Sequence, residues 1–465
     1  MTTYQDLIAR KRVSFTPRGF RPQAMPSGMF PHQAATTAFL IEAGCGAAFL
    51  DTGLGKSYVA LEWGRQVVEH TNRPVLMLAP LAVGPQHERE AAKFGVDARY
   101  IREPGEMGGG PRVWITNYER LAKFDAAAFA GVILDESSIL KSFTGSTTRA
   151  LISAFAATPY RLACTATPAP NDHTELGTHA EFLGVMRRDE MLPRWFLHDS
   201  SDTGTWRVKR HGVKDFWRWV ASWSRCIAKP SDLGFDDGGF ALPPLNLEKH
   251  VVEADRSTDA GAEKDGQGKL FRLPDTSATS IHREKRLTIA PRAGIIAELV
   301  AREPAEPWVV WCDTDYEADA LTDRIPDAIE VRGSMAPEVK EERLVAFSTG
   351  KVRVIVTKPS IAGFGLNWQH AARMAFVGLS FSYESFYQAI RRSWRFGQTR
   401  PVNVHVAMAD TEKAIWDVVS RKAGDHDKMK AEMVAAMREA HRAAVRKETY
   451  QPRQEATLPA WMTAA

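Results

Sequence analysis

Residues 51–57 read Asp51-Thr52-Gly53-Leu54-Gly55-Lys56-Ser57, a set of residue types that can hold a polyphosphate. Phosphate oxygens need backbone N–H groups turned inward, and glycine lets the chain curl that closely. Gly53 and Gly55 supply the curl, Lys56 a charge for the β- and γ-phosphates, and Ser57 a hydroxyl for Mg2+. The full pattern, G-x-x-x-x-G-K-[ST], asks for glycine at position 50, where this chain has Leu50. The competing reading is a glycine-rich strand-to-helix turn without a ligand.

A second set lies in VILDESS, residues 132–138, where an apolar run ends in Asp135 and Glu136. An acidic pair at the end of a buried strand is costly unless a cation faces it. Asp135 suits holding Mg2+, and Glu136 suits orienting and activating an attacking water. The bland alternative is a strand end entering a solvated loop. A third set, QAIRRSWRFGQ, occupies residues 388–398. On a helix, Gln388, Arg392 and Arg395 share one face at i, i+4 and i+7. Two permanently charged, bidentate donors suit a phosphoryl group in transfer. Arg391 falls off that face and reads as solvated or on a phosphate backbone. By itself the segment also fits a basic surface helix with Trp394 and Phe396 packed beneath.

These sets need elements to position them. Short apolar runs at 47–50, 75–79, 113–116, 132–134 and 161–165 read as strands, and so do 308–312, 329–331, 352–357, 374–377 and 402–406. The runs are continuous rather than alternating, as in parallel strands buried on both faces. Strand and helix alternating twice over predicts two α/β lobes, each a mostly parallel sheet flanked by helices. Residues 253–280 are rich in Gly, Asp, Ser, Thr and Lys and read as a linker or mobile loop. Residues 195–227 hold many tryptophans and read as helical, with Trp217, Trp219 and Trp223 packing rather than stacking on bases. A charged helical pattern runs from about 411 to 448, and a frayed tail follows. The N-terminal cations Arg10, Lys11, Arg12, Arg18 and Arg21 read as a solvated tail.

The 465 residues include 44% hydrophobic and 25% charged side chains, enough for full cores and unlike a disordered or disulfide-stapled chain. A net charge of +4 permits a polyanionic partner without demanding one. Cys45, Cys164, Cys226 and Cys312 lie far apart with no zinc spacing, which favours a reduced, cytoplasmic setting. No apolar run is long enough to span a membrane, and residues 1–12 lack a signal peptide's apolar core.

Taken in order, the segments resemble superfamily 2 helicase-like ATPases of Swi/Snf type. FPHQ with Gln33 looks like the adenine-reading glutamine, and DTGLGKS is similar to a family loop that also lacks the first glycine. Residues 75–90 and 113–121 look like motifs Ia and Ib. DESS stands where the family has DEAH-type residues, TATP (165–168) resembles motif III, and residues 354–371 resemble motif V. QAIRRSWRFGQ matches the family's Q-A-x-x-R-x-x-R-x-G-Q. The stretch 216–245 looks like phage and prophage-borne members.

The resemblance implies two RecA-like lobes with ATP in the cleft between them: 1–240 as the first lobe with a Trp-rich insertion near 186–230, 241–290 as a linker, 291–410 as the second lobe, and 411–465 as a helical extension and tail. It implies nucleotide contacts from Gln33, Thr52, Gly53, Leu54, Gly55, Lys56 and Ser57, and Mg2+ held by Ser57 and Asp135. Catalysis falls to Lys56, Asp135, Glu136, Gln388, Arg392 and Arg395, and coupling to Thr165 and Thr167. Nucleic acid would be held without sequence readout by Thr116, Asn117, Tyr118, Thr357, Gly363 and Asn367. The implied activity is ATP-driven translocation on duplex or forked DNA, with replication or recombination proteins as candidate partners. An RNA helicase of the same superfamily and a non-catalytic nucleic-acid-binding scaffold are the alternatives.

Overall fold

A computed structural model describes residues 15–80, 83–198, 206–254, 278–362 and 367–449. The apolar runs form two parallel sheets. The first holds β1 (Cys45–Leu50), β2 (Val75–Ala79), β3 (Ala98–Tyr100), β4 (Val113–Asn117), β5 (Gly131–Asp135), β6 (Tyr160–Cys164) and β9 (Ser224–Ile227), in the order β3-β4-β2-β5-β6-β1-β9. β7 (Phe196–His198) and β8 (Trp206–Val208) make a separate antiparallel hairpin. The second sheet holds β10 (Leu245–Val252), β11 (Trp308–Trp311), β12 (Ala328–Val331), β13 (Val354–Thr357), β14 (Arg373–Phe376) and β15 (Val402–Ala409), in the order β10-β15-β14-β11-β13-β12. Each is flanked by helices, so the chain is an α/β protein of two RecA-like lobes.

Burial on both faces explains the unbroken apolar runs. In the first lobe, Leu76, Leu78, Trp114, Val132 and Leu134 pack in one core, and Val75, Met77, Ile115 and Ile133 in the other. The second lobe repeats this: Val309, Trp311, Ile355 and Met374 face one way, and Trp308, Val310, Val354 and Ala375 the other. Successive strand side chains point to opposite faces, so two cores demand two apolar sets. Because the strands are parallel, their C-terminal ends share one edge, where sites in such sheets collect. The glycine loop leaves β1 there, Asp135 ends β5, and Thr165 follows β6.

Two stretches depart from expectation. Within 195–227 the helix is only Val213–Trp223; the hairpin precedes it, and β9 follows as an edge strand beside β1. Four residues are too few to show a period. Trp217, Trp219 and Trp223 are buried in the core, as the packing reading expects. Within the expected linker, 241–290, β10 pairs with β15 over eight residues, and a helix covers Ala278–Leu287. β10 carries Asn246, Glu248, Lys249 and His250 because it is an edge strand largely open to solvent, and that polarity hid it. Residues 255–277 of the linker, the N-terminal Arg10, Lys11 and Arg12, and the tail beyond 449 lie outside the described residues.

The helical pattern expected from about 411 to 448 is present. A helix runs from Lys413 to Thr449. Its first turns put Ile415 and Val419 in a core of the second lobe, and its later turns put Met429 and Met433 in a core of the first. Glu432 accepts a bond from Trp217 Nε1 at 2.7 Å, and Arg438 pairs with Asp232 at 2.8 Å. No described helix is long and apolar enough to cross a membrane.

Candidate active site

The glycine loop curls because Gly53 and Gly55 adopt left-handed conformations, φ 94° and 84°. A Cβ at Gly53 would stand 2.7 Å from the Phe396 nitrogen, and one at Gly55 would stand 2.1 Å from Gln33 Nε2. The loop therefore admits glycine alone at both positions, and each marks a close approach to another part of the site. The Lys56–Thr71 helix starts there with no side-chain cap and no acidic residue in its first turn. Its first N–H groups and the positive end of its dipole are left for an anion. Lys56 Nζ donates to the Leu50 carbonyl at 2.9 Å. Burial lowers its pKa while Glu136, Asp51 and Asp135 oppose the fall. Gln33 donates through Nε2 to the Leu54 carbonyl at 3.2 Å and accepts from the Phe30 N–H, which ties the upstream helix to the loop.

Asp135 faces His87 Nε2 at 2.8 Å. Burial alone would raise the Asp135 pKa, but the His87 charge and hydrogen bond bring it below its ordinary value. The carboxylate is ionised and able to bind a cation. Tyr118 donates its hydroxyl to the Asp135 carbonyl at 2.8 Å, which fixes the strand end. Glu136 sits in a left-handed conformation, φ 57°, rare for a residue with a side chain. That turn brings its carboxylate to Thr165 Oγ1, which donates at 2.5 Å. Thr165 Oγ1 in turn accepts the Thr167 N–H at 3.0 Å. Burial pushes the Glu136 pKa up against the pull of Lys56 and Thr165. A raised carboxylate is a better proton acceptor.

The second lobe faces this array. Its Tyr383–Ile390 helix stops before the arginines, which lie on the following turn. Gln388, Arg392 and Arg395 nonetheless line the same cleft as Gln33, Gly53, Gly55, Lys56, Ser57, Asp135 and Glu136. The cleft encloses about 760 Å3. Arg392 donates to Gln388 Oε1 at 3.1 Å, while Gln388 Nε2 is buried with no partner among the described residues. Burial, with Arg395 beside it, takes the Arg392 pKa down to about 9. Burial likewise lowers Arg395, which Glu90 partly offsets. Such desolvated guanidiniums are favoured by an arriving anion.

Arg391 is not solvated. It is buried, pairs with Asp51 at 2.7 Å and donates to the Thr52 carbonyl at 2.9 Å. The helix ends at Ile390, so helical spacing no longer dictates where residue 391 points. Lys430 of the C-terminal helix also reaches Asp51, at 3.2 Å, and the Tyr387 hydroxyl bonds to it. Burial would raise the Asp51 pKa; Arg391 and Lys430 instead hold it well below the carboxylate range. The first residue of the glycine loop is thus held by three side chains from beyond the first lobe. Lys141 and Glu384 form a further pair across the lobes.

Three aromatic rings close one end of the cleft. Phe240 stacks on Phe396 at 4.3 Å, and Phe30 meets Phe240 edge-on at 5.1 Å. A flat heterocycle beside Gln33 would find a wall there.

The expected nucleic-acid contacts are placed differently. Thr116 is fully buried and donates to the Ile101 carbonyl; Asn117 is fully buried between the Tyr100 hydroxyl and the Ala79 and Pro80 carbonyls. Thr357 is fully buried and donates to the Val331 carbonyl. The Thr116, Asn117 and Thr357 side chains are thus bonded inside the protein, and the Tyr118 hydroxyl is bonded to Asp135. Asn367 is exposed and lines the same cleft as Lys56 and Arg392. Gly363 lies outside the described residues.

Sequence reasoning missed His87, Tyr387, Lys430 and Phe240. Tyr387 adjoins the arginine segment, and His87 lies within 75–90, singled out only by its resemblance to motif Ia; Lys430 carries no local signal at all. Residues 292–397 match the family described as the helicase conserved C-terminal domain. The matched span runs from the second lobe's first long helix through its arginine segment, which makes the chain helicase-like of superfamily 1 or 2. No curated protein matches the chain.

Proposed function

We propose that the chain is a Mg2+-dependent ATPase that moves along, remodels or unwinds DNA. The observation that carries this reading is the convergence of Lys56, Asp135 and Glu136 from one lobe with Gln388, Arg392 and Arg395 from the other on one cleft.

Each residue has a task. The loop N–H groups and Lys56 bind the phosphates, and Gln33 with the aromatic wall holds the base. Ser57 and Asp135 would hold Mg2+, which when bound neutralises phosphate charge. Glu136, poised by Thr165, takes a proton from the attacking water. Arg392 and Arg395 stabilise charge that develops on the transferred phosphoryl group. Thr165 and Thr167 carry the state of Glu136 towards the lobe interface. Hydrolysis needs both walls, so the cleft closes and opens once per cycle, and a strand gripped by both lobes is advanced. The likeness of 216–245 to phage and prophage-borne members favours service in phage or prophage DNA metabolism. Four buried free thiols favour a reducing, cytoplasmic setting.

ATP turnover measured side by side with no nucleic acid, single-stranded DNA, duplex DNA, forked DNA and RNA tests the reading. Severalfold stimulation by duplex or forked DNA, weakening with salt, is expected. Stimulation by RNA alone would replace DNA as the track. Turnover indifferent to every polymer would remove the translocase.

A further inference from the structure

We propose that Glu248, His250 and His405 form a binding site for a divalent transition-metal ion, zinc by chemistry, on the outer strands of the second lobe. None of the three lines the nucleotide cleft, and none has been given a chemical task above.

The site follows from strand register. β10 and β15 run parallel with Glu248 opposite His405, and His250, two residues along β10, returns to the same face. One donor atom from each residue lies within 4.8 Å of the others. His250 Nε2 and His405 Nδ1 are 3.1 Å apart. His405 Nδ1 is 3.4 Å from one Glu248 oxygen, and His250 Nε2 is 3.9 Å from the other. Zinc bonds of about 2.0–2.1 Å in a tetrahedron put donor atoms about 3.3 Å apart. Two of the three separations meet that value within a few tenths of an ångström. The 3.9 Å separation is to the other carboxylate oxygen, so one oxygen serving both histidines requires the Glu248 carboxylate to turn, and that side chain is 64% exposed.

The donor set selects the ion. Two imidazoles and one carboxylate suit zinc and its neighbours, whereas Mg2+ prefers oxygen ligands in an octahedron. His250 and His405 are 19% and 13% exposed, open enough for an ion to enter and fixed enough to hold one. The buried Trp308 ring stands 5.8 Å from the His405 ring, an apolar floor behind the site. Three protein ligands leave the fourth corner for water or an outside donor. An ion here would tie the edge strand β10, which otherwise pairs on one side only, to β15.

The test uses the full chain stripped with a chelator. Zinc is titrated by equilibrium dialysis, and Co2+ serves as a visible probe of tetrahedral nitrogen ligation. Wild-type protein should bind one equivalent with a dissociation constant in the micromolar range or below, and millimolar Mg2+ should not displace it. His250→Ala and His405→Ala should each weaken binding at least tenfold and remove the cobalt band, and Glu248→Gln should weaken it less. The thermal midpoint should rise with zinc in wild type and not in the double histidine variant. His250→Gln, on the open edge strand, carries the test if His405→Ala fails to fold. No zinc or cobalt bound by wild type, or unchanged binding in the double variant, overturns the proposal. The assay reads neither ATP nor DNA, so its failure leaves the nucleotide cleft untouched.

Discussion

Asp135 ends β5 and Thr116 nearly ends β4, and Thr357 ends β13 in the other lobe, yet only Asp135 turns its side chain into the cleft. The two threonines show what the alternative is. Each sits on the strand next to the outermost one and donates to a carbonyl at the end of that outer neighbour: Thr116 to Ile101 beyond β3, Thr357 to Val331 of β12. The same bond in both lobes staples an edge strand to its sheet. A hydroxyl so used has no donor left for a phosphate. The cleft residues are under the opposite condition: Lys56, Arg392 and Arg395 are desolvated cations whose pKa values fall on burial, which an incoming triphosphate would reverse.

That contrast yields a ranked set of expectations. At the top, Arg395→Ala and Glu136→Gln should each cut ATP turnover by about 10³-fold while ATP affinity stays within about tenfold. Arg395→Lys should rescue poorly, because a point charge lacks the guanidinium fork. Single-turnover hydrolysis alongside ATP binding separates the two quantities, and equal losses in both would show that these residues merely hold ground-state nucleotide.

Next comes Arg391→Met. It leaves buried Asp51 with Lys430 as its remaining ion-pair partner among the described residues and should cost about 3 kcal/mol in denaturant unfolding. Lys430→Met should cost less, since the Arg391 pair is shorter. If Arg391→Met unfolds like wild type, the Asp51 cluster does not join the lobes.

Thr116→Val and Thr357→Val should each lose about 1 kcal/mol of stability and leave DNA affinity within about threefold. A tenfold loss of DNA affinity with unchanged stability would return these threonines to the nucleic-acid interface.

The smallest effect concerns His87. Burial would lower its pKa, but Asp135 and Glu90 hold it above 6.5. A folded value above the unfolded one gives stability that is complete below pH 6.5 and lost as pH rises through the folded value. Mg2+ affinity should move the other way, rising over the same window as the competing imidazolium charge disappears. His87→Asn should flatten both profiles, and an unchanged Mg2+ profile in that variant would break the link between His87 and Asp135.

The sheets were readable in the sequence because two buried faces force unbroken apolar runs; β2, 75–79, needs no adjustment at either end. β10 was not readable, because an edge strand open to water can carry Glu248, Lys249 and His250. Lys56, Asp135 and Glu136 were readable because each follows such a run, and backbone direction places them. Arg391 was misread because a helical wheel was extended past the last helical residue, Ile390. Lys430 was beyond reach: its role depends on where a helix begun in one lobe docks on the other, and no local pattern encodes that. The threonine staples were not readable for a related reason, since a hydroxyl's partner lies on a neighbouring strand rather than along the chain.

The helix from Lys413 to Thr449 has 37 residues, about 55 Å at 1.5 Å per residue. The chain thus passes between the lobes twice, once on the way from β9 to β10 and once along this rod. Two passages define a line, and bodies joined at two points turn about that line more easily than they slide or twist apart. Rotation that parts Asp51 from Arg391 must also either flex the rod or draw Met429 and Met433 out of the first lobe. Opening the cleft would therefore strain this helix or its packing as well as break the Asp51 cluster.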